Sequence, residues 1–275
     1  MIRAIHVDKD GTFSLSEPRN KRVIEDLAAE EGVYSDMDSD ARHALWRKNL
    51  WGMCEGRAEQ AIHSILAQKF PESTISKVKP SDFELACKTL YNERHHEVTI
   101  RDGMIDALRL YKDKGALLAM VTSSDRKSTD MDLEMAFGKV STGEDFFDVI
   151  ITSDDVPNPL DRKPSPVPFL KSCDALNLSA EWGHVALEDS PTGSESAISC
   201  FGQGNNLVVR FLEESNSSMN EHDHDRLVHA YTMEEASKLI KTFNESPLSE
   251  RRLNDNDPVA PFNDTVAPHR QNNIG

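Results

Sequence analysis

The chain has 275 residues, and its acidic residues outnumber its basic ones by 47 to 31, which gives a formal charge of −16. This charge argues against nucleic acid and against an anionic membrane surface as partners. No apolar run approaches the ~18 residues of a membrane-spanning helix and no secretion leader opens the sequence, so we expect a cytoplasmic protein. Its four cysteines are scattered, which is typical of reduced thiols.

Five short apolar runs predict the strands of a sheet. They lie near residues 2–7, 116–122, 148–152, 184–188 and 206–210. Helical patterns separate them; one such pattern, Gly103 to Lys114, keeps its apolar residues on one face and is followed by Gly115, a common helix stop. Strands that alternate with helices predict an α/β fold with a parallel sheet covered on both faces.

Residues 17–98 interrupt this alternation, because they show helical periodicity and no convincing strand. Helical stretches lie near 18–31, 38–50, 57–70 and 81–95. We therefore predict a helical insert, 17–98, within an α/β unit made of residues 1–16 and 99–245. The two crossings between these units, near 14–17 and 97–101, would act as hinges.

The C-terminal part of the chain has three features. Glu221-His222-Asp223-His224-Asp225 looks like a metal-binding tract, but its spacing suits no closed tetrahedral site, so we interpret it as a polar loop. A capping box at Thr232 predicts a last helix that runs to about Phe243. Residues 246–275 are polar and rich in proline, which predicts a disordered tail.

Two carboxylates follow the first predicted strand. Asp8 and Asp10 come directly after the apolar run that ends at Val7. Packing gives no reason for this pair, and ligands bind at the carboxyl ends of strands in open α/β sheets. Surface loops are also rich in aspartate, so the pair indicates a site only if other segments support it.

Three later segments supply that support. The run 116–121 is followed by Thr122-Ser123-Ser124, and the run 184–187 is followed by Glu188-Asp189. Between them Lys163 precedes a proline. Carboxylate oxygens suit Mg²⁺, whereas hydroxyl and ammonium groups suit phosphate oxygens.

Each of these residues also has a structural interpretation. Thr122 would be a polar strand end, Lys163 a solvated loop lysine, and Glu188-Asp189 a helix N-cap before Pro191. Each interpretation is reasonable by itself. Together with a chance Asp8/Asp10 pair they require four coincidences, which favours a functional site.

In order and spacing the four segments resemble the motifs of the haloacid dehalogenase (HAD) superfamily, in its branch of phosphatases and beta-phosphoglucomutase-like enzymes. The resemblance covers about residues 1 to 240. It implies a Rossmann-like parallel-sheet core with an inserted α-helical cap domain. The helical insert 17–98 corresponds to that cap.

The resemblance also implies catalytic roles. Asp8 matches the nucleophile that becomes an aspartyl phosphate, and Asp10 matches the acid/base that protonates the leaving group. Thr122 would bind a phosphoryl oxygen, and Lys163 would hold Asp8 and the transferring group. The cofactor would be Mg²⁺, with ligands from Asp8, the main-chain carbonyl of Asp10, Glu188 and Asp189.

Substrate choice would fall to the cap, because the strand-end motifs recognise only phosphate and metal. Gly56 and Arg57 are the candidates there, since relatives often present such a loop to the leaving group. Arg57 is equally well explained as an exposed residue in the first turn of a helix. Near the phosphate, Ser123 and Ser124 are further substrate-binding candidates.

Three positions depart from the family pattern. Lys9 lies between the two aspartates, where an apolar residue is usual. Val167 stands where an aspartate often follows the lysine motif, and Leu15 precedes Ser16-Glu17 where relatives often carry an aspartate. None of these changes removes a catalytic group, but they indicate a distant branch.

The predicted function is a Mg²⁺-dependent phosphatase of a small soluble phosphomonoester, a sugar phosphate or a phosphoglycolate-like acid. We expect a monomer or weak dimer. A phosphomutase is the main alternative, but its relatives use a cap histidine that the stretch Pro18 to Lys21 lacks. A dehalogenase lacks the second aspartate, and a phosphonate hydrolase needs a Schiff-base lysine, for which Lys21 and Lys48 have no supporting motif. A non-catalytic binding protein with the same fold is the remaining alternative.

Overall fold

The structure is a computed structural model that describes residues 2–54, 58–201, 205–212 and 227–245. Its strands are β1 (Ala4–Val7), β2 (Ser14–Leu15), β3 (Thr99–Ile100), β4 (Leu117–Val121), β5 (Val149–Ile151), β6 (Trp182–Glu188), β7 (Asn205–Phe211) and β8 (Leu227–Ala230). Six of them form one parallel sheet in the order β5-β4-β1-β6-β7-β8. The other two, β2 and β3, form a separate antiparallel pair.

The central strand β1 explains why the sheet has a core on each face. All four of its residues are buried. Successive side chains of a strand point to opposite faces. Accordingly, Ile5 and Val7 belong to one apolar cluster with Leu118, and Ala4 belongs to another with Phe169.

Five helices lie between β2 and β3. They are α1 (Glu17–Glu30), α2 (Ser39–Asn49), α3 (Trp51–Cys54), α4 (Glu59–Lys69) and α5 (Pro80–Glu93). They surround an apolar cluster of their own that includes Trp46, Leu66 and Ile75. The chain enters and leaves this helical segment through β2 and β3, where Ser14 lies opposite Ile100.

Six further helices cover the parallel sheet. They are α6 (Met104–Asp113), α7 (Arg126–Phe137), α8 (Val140–Phe146), α9 (Val167–Ala175), α10 (Pro191–Phe201) and α11 (Met233–Glu245). Gly115, just after α6, has a φ of 89°, which a glycine adopts without strain. At the start of α11 the Thr232 hydroxyl accepts from the Glu235 amide at 3.2 Å, and the Glu235 carboxylate accepts from the Thr232 amide at 3.3 Å.

The predicted fold class, a parallel α/β sheet with helices on both faces, is confirmed. All five predicted strands are present, whereas the short strands β2, β3 and β8 were not predicted. Strands of two residues, as β2 and β3 are, carry too little alternation to be found from sequence. The boundaries given for the core and the cap stay predictions. Among the helices of the described residues, none is long and apolar enough to cross a membrane.

Candidate active site

Three adjacent strands bring their carboxyl ends together at one edge of the sheet. Asp8 follows β1, Thr122 follows β4, and Glu188 ends β6. Since β1 lies between the other two strands and is parallel to both, the three ends lie on the same side. All three residues are buried, with 8%, 4% and 0% of their surfaces exposed. We call this edge the strand-end site.

Lys163 joins these strand ends. Its Nζ donates to Asp8 Oδ1 and to Glu188 Oε1, both at 2.6 Å, and to the Val121 carbonyl at 2.8 Å. The side chain is 5% exposed. Burial alone would lower the pKa of this ammonium, but Asp8 and Glu188 outweigh it and the pKa lies above its usual value. The group therefore carries a fixed positive charge inside the site.

Asp8, Glu188 and Asp189 form a crowded acidic cluster, with one oxygen of each within 4.8 Å of the others. Burial raises the pKa of Asp8 and of Glu188, although Lys163 opposes this effect. Burial and then the charge of Asp8 raise the pKa of Asp189 to about 8. Glu188 Oε2 is buried and has no hydrogen-bond partner among the described residues. Hard oxygens that repel one another, one of them without a partner, fit a divalent cation such as Mg²⁺.

Two glycines allow the main chain to approach these carboxylates. Gly11 has a φ of 78°, and a Cβ at this position would overlap the Asp189 carboxylate. A Cβ on Gly193, in the first turn of α10, would overlap the Glu188 carboxylate. The acidic cluster therefore lies directly against backbone, which leaves these two positions no room for a side chain.

The Asp10 carboxylate is held on both oxygens. Oδ1 accepts from Lys9 Nζ at 2.8 Å and from the Ser16 hydroxyl at 2.7 Å. Oδ2 accepts from the Ser124 hydroxyl at 2.5 Å. Burial alone would raise the pKa of Asp10, but Lys9 and the two hydroxyls hold it below its usual value.

The hydroxyl groups after β4 have different surroundings. Thr122 is buried, and its Oγ1 accepts from the Ser124 amide at 3.0 Å. Ser123 is exposed. Ser124 was predicted to bind substrate, and in the structure its hydroxyl donates to Asp10 instead of pointing to an open position. Contacts of all three residues with a substrate stay predictions.

Two of the structural interpretations from sequence fail on these contacts. Lys163 is not a solvated loop lysine, because it is buried between carboxylates. Glu188-Asp189 is not the cap of α10, since the Ser190 hydroxyl accepts from the Gly193 amide at 3.0 Å. The third interpretation, a polar strand end at Thr122, remains compatible with the structure.

Some predicted residues lie outside the part that the structure describes. These are Gly56, Arg57 and the tract from Glu221 to Asp225. Their predicted roles stay untested.

Sequence reasoning missed the groups that hold Asp10 in place. Lys9 was noted only as a departure from the family pattern, although a cation between two aspartates is a signal for an ion pair. Asp132 and Ser16 had no such signal, because Asp132 is 123 residues from Lys9 in sequence and reaches it only through folding.

A second group of possible metal ligands lies below the strand-end site. His6, Cys173 and His184 have ligand atoms within 4.8 Å of one another. However, the rings already use their nitrogens: His6 Nε2 and His184 Nδ1 are 2.9 Å apart, and His184 Nε2 donates to the Ser179 carbonyl at 2.7 Å. His6 Nδ1 lies 2.8 Å from the Ser172 hydroxyl. We interpret this group, the histidine chain, as a satisfied part of the core.

Comparison with known proteins finds a family whose profile matches the sequence of this chain. A profile described as haloacid dehalogenase-like hydrolase matches residues 42–202, which is more than half of the chain.

Curated relatives match over a shorter range. The pyrophosphatase PpaX of Bacillus mycoides (strain KBAB4) is 30% identical over 112 residues, which cover 39% of this chain and 48% of that protein. PpaX of Bacillus pumilus (strain SAFR-032) is 33% identical over 115 residues, 40% of this chain and 48% of that protein. The match thus spans about half the length of these relatives.

Solved structures share the fold over most of the chain. CbbY from Rhodobacter sphaeroides in complex with phosphate is 22% identical, with a TM-score of 0.59 over 83% of this chain and 94% of that one. A CbbY mutant in complex with xylulose-(1,5)bisphosphate has a TM-score of 0.58 at 22% identity, with the same coverage. A HAD family hydrolase from Deinococcus radiodurans R1 with bound phosphate and sodium is 20% identical, with a TM-score of 0.61 over 87% of this chain and 96% of that one.

Proposed function

We propose that this chain, which belongs to the haloacid dehalogenase-like hydrolase family, is a Mg²⁺-dependent phosphatase that acts through an aspartyl phosphate. The observation that carries the proposal is the buried Lys163, which contacts both Asp8 and Glu188 at 2.6 Å. A fixed cation beside a carboxylate suits transfer of a phosphoryl group, because it stabilises the negative charge on the transferring oxygens.

Asp8 is the proposed nucleophile. Lys163 holds its Oδ1, so we assign the attack on phosphorus to Oδ2. The new bond joins this oxygen to phosphorus as the bond from phosphorus to the leaving oxygen breaks. Lys163 then offsets charge on the transferring group, and the difficult hydrolysis is divided into two easier steps.

Asp10 is the proposed acid/base. Because Lys9 and the two hydroxyls hold the pKa of Asp10 low, we assign its protonation to the substrate complex, where the anionic phosphate favours the neutral carboxyl group. Asp10 would then give this proton to the leaving oxygen during the first step. In the second step it would take a proton from the water that attacks the aspartyl phosphate, which releases phosphate and restores both aspartates. The Ser16 and Ser124 hydroxyls, which bind opposite oxygens of Asp10, keep this carboxyl group oriented.

The acidic cluster is the proposed metal site. Asp8, Asp189 and the main-chain carbonyl of Asp10 would hold Mg²⁺, with Glu188 beside them. The unpartnered Glu188 Oε2 and the raised pKa of Asp189, about 8, support a missing positive charge here. When bound, Mg²⁺ neutralises negative charge on the phosphoryl oxygens.

A small soluble phosphomonoester is the proposed substrate, either a sugar phosphate or a phosphoglycolate-like acid. The fold neighbours with bound phosphate and with xylulose-(1,5)bisphosphate support this class. The formal charge of −16 repels anions at long range, so Lys163 and the metal must attract the phosphate locally. Gly56 and Arg57 remain the candidates for contacting the leaving group.

Pyrophosphate is a second candidate substrate, because the curated relatives that match are pyrophosphatases. The same nucleophile and metal site would serve, with phosphate as the leaving group. The phosphomutase alternative has less support: Arg19 and Lys21 occupy the stretch after β2, and their side chains contact Tyr91 and Glu17.

A substrate screen tests this function. Purified protein would be assayed against sugar phosphates, acid phosphates and pyrophosphate, with Mg²⁺ and with EDTA. We expect phosphate release from at least one monoester with Mg²⁺ and its loss with EDTA. Activity that is insensitive to EDTA would exclude the metal site, and no release from any compound would exclude the phosphatase.

A further inference from the structure

Lys9 brings a positive charge into the interior of the protein. Its side chain continues the face of β1 that carries Ile5 and Val7, which belong to an apolar cluster. Lys9 itself is only 1% exposed. A buried ammonium group is costly unless anionic partners surround it. An apolar residue would fill this position without such partners, so packing alone does not explain the lysine.

The partners of Lys9 come from two different elements. Its Nζ donates to Asp10 Oδ1 at 2.8 Å and to Asp132 Oδ2 at 3.0 Å, with the Ser128 hydroxyl at 3.5 Å. Ser128 and Asp132 are one turn apart on α7 and therefore share a face of that helix. One ammonium group thus links the loop after β1 to α7.

Asp132 is fixed by contacts that do not involve Asp10. Its side chain is 2% exposed. Oδ2 accepts from the Ser14 hydroxyl at 2.5 Å, and Oδ1 lies 3.2 Å from His95 Nε2, without the alignment of a hydrogen bond. Ser14 lies on β2 and His95 in the turn before β3, so Asp132 contacts the first crossing and the turn that leads into the second. These contacts anchor the position of the Lys9 ammonium.

Of the three groups that bind Asp10, Lys9 is the charged one. All three bonds are charge-assisted, because their acceptor is a carboxylate, but only the Lys9 bond also pairs two opposite full charges. Ser16 and Ser124 each contribute one hydroxyl. Lys9 also binds Asp132, so it ties the direction of the Asp10 carboxyl group to the position of α7.

We propose that Lys9, held by Asp132, is a positioning residue that fixes the Asp10 carboxyl group in reach of the leaving group. This inference rests on the phosphatase function proposed above and adds Lys9 and Asp132 to the residues that support it. Lys9 and Asp132 do not touch the substrate in this proposal. They act through Asp10, and they make its position depend on the two crossings.

If Lys9 and Asp132 position Asp10, the rate loss caused by removing the pair should depend on the leaving group of the substrate. A leaving group that departs readily as an anion needs little help from an acid, whereas a poor leaving group needs a well-placed proton donor. Loss of the Lys9–Asp132 pair should therefore slow the transfer from poor leaving groups more than from good ones. A purely structural role for the pair would slow both equally.

The test uses a series of aryl phosphates from p-nitrophenyl to phenyl phosphate, which differ in leaving-group acidity but little in shape. The value of kcat/KM reports phosphoryl transfer to Asp8 and would be measured across the series. The double variant Lys9→Met/Asp132→Leu removes both buried charges together and so avoids an unpaired ion. Lys9→Arg keeps the charge and changes its geometry. Lys112→Met removes a lysine that pairs with Asp148 away from the site and serves as the control.

We expect the double variant to lose at least about tenfold more activity on phenyl phosphate than on p-nitrophenyl phosphate, within the 10²–10⁴-fold range of general acid catalysis. Lys9→Arg should give a smaller difference, and Lys112→Met none. If the double variant does not fold, the Lys9→Arg profile decides the question. An equal loss on all aryl phosphates would overturn the positioning role while the phosphatase function stands. A wild-type protein that releases phosphate neither from this series nor from any compound of the screen above would overturn both.

Discussion

Two buried polar groups of this molecule lie on the same two strands and have opposite character. In the histidine chain, His184 Nε2 donates to a carbonyl, so neutral His184 must accept at Nδ1 and His6 must donate from Nε2. Each ring nitrogen has a partner, and burial lowers the pKa of His6 and of His184. The chain is therefore neutral and satisfied.

The strand-end site, which begins at Asp8 just after β1, is neither neutral nor satisfied. Three carboxylates lie close together, and two of them contact the one ammonium group, Lys163. Burial raises the pKa of these carboxylates, and Glu188 Oε2 has no partner among the described residues. Native cores satisfy their buried polar groups. Both groups bring possible ligand atoms within 4.8 Å of one another, so the two groups differ in hydrogen bonding and charge and not in the proximity of these atoms.

The substitution with the largest expected effect on activity is Asp8→Asn in the strand-end site. An amide keeps the shape of the side chain but cannot form the aspartyl phosphate, so turnover should fall to background while the fold is kept. The measurement combines phosphate release with circular dichroism and trapping of the phosphorylated protein. Activity that survives this change, in folded protein, rules out Asp8 as the nucleophile.

A somewhat smaller loss is expected for Asp10→Asn. The amide cannot transfer a proton, so kcat should fall by about 10²–10⁴-fold. Binding of beryllium fluoride, which mimics the aspartyl phosphate, should persist because Asp8 and Lys163 remain. Ser16→Ala serves as a matched control that removes one hydrogen bond to Asp10 and should cost far less. Equal losses in the two variants would argue that Asp10 has no proton-transfer role.

The effect of Mg²⁺ on thermal stability gives a second comparison between the strand-end site and the histidine chain. Mg²⁺ at about 100 times its dissociation constant should stabilise the protein by about 2.7 kcal/mol and raise its Tm. Asp189→Asn should remove most of this shift, because it removes a proposed ligand. His184→Gln, which alters the histidine chain, should keep the Mg²⁺ shift even if its own Tm is lower. A shift lost in both variants would contradict the assignment of the metal to the strand ends.

The smallest expected effect concerns the stability of the metal-free protein. Asp189 in the strand-end site and His6 in the histidine chain should change this stability in opposite directions as the pH rises. The pKa of Asp189 rises from 3.8 to about 8 on folding, so its ionisation destabilises the fold as pH increases through this range. The pKa of His6 falls below 6.5 on folding, so the stability it contributes is present above pH 6.5 and lost as pH falls.

Thermal unfolding between pH 5 and 8 measures both trends. Relative to wild type, Asp189→Asn should gain most Tm at pH 8, whereas His6→Gln should have a shallower loss of Tm towards pH 5. If the curves of Tm against pH are parallel for wild type and both variants, neither group has the shifted pKa that its burial implies.

Much of the candidate site follows from local sequence, because an apolar run followed by polar residues marks a strand end. That pattern predicted the positions of Asp8, Thr122 and Glu188 before their strands were known to be neighbours. The contacts of Lys163 were implied by family resemblance alone, since Asp8 is 155 residues away in sequence. The Lys9–Asp132 pair and the histidine chain were not predicted, because each depends on which helix or strand packs beside which residue.

The all-parallel sheet also determines when the site can exist during folding. Neighbouring parallel strands cannot be joined by a tight turn, so β1 meets β4 and β6 only after long stretches of chain have been placed. Such non-local pairing has a high contact order and is slow. Lys163 can reach Asp8 and Glu188 only once all three strands are registered. During refolding, the proposed activity should therefore return only when β1, β4 and β6 have paired. A ribosome-bound chain that ends before β6 should have no such activity.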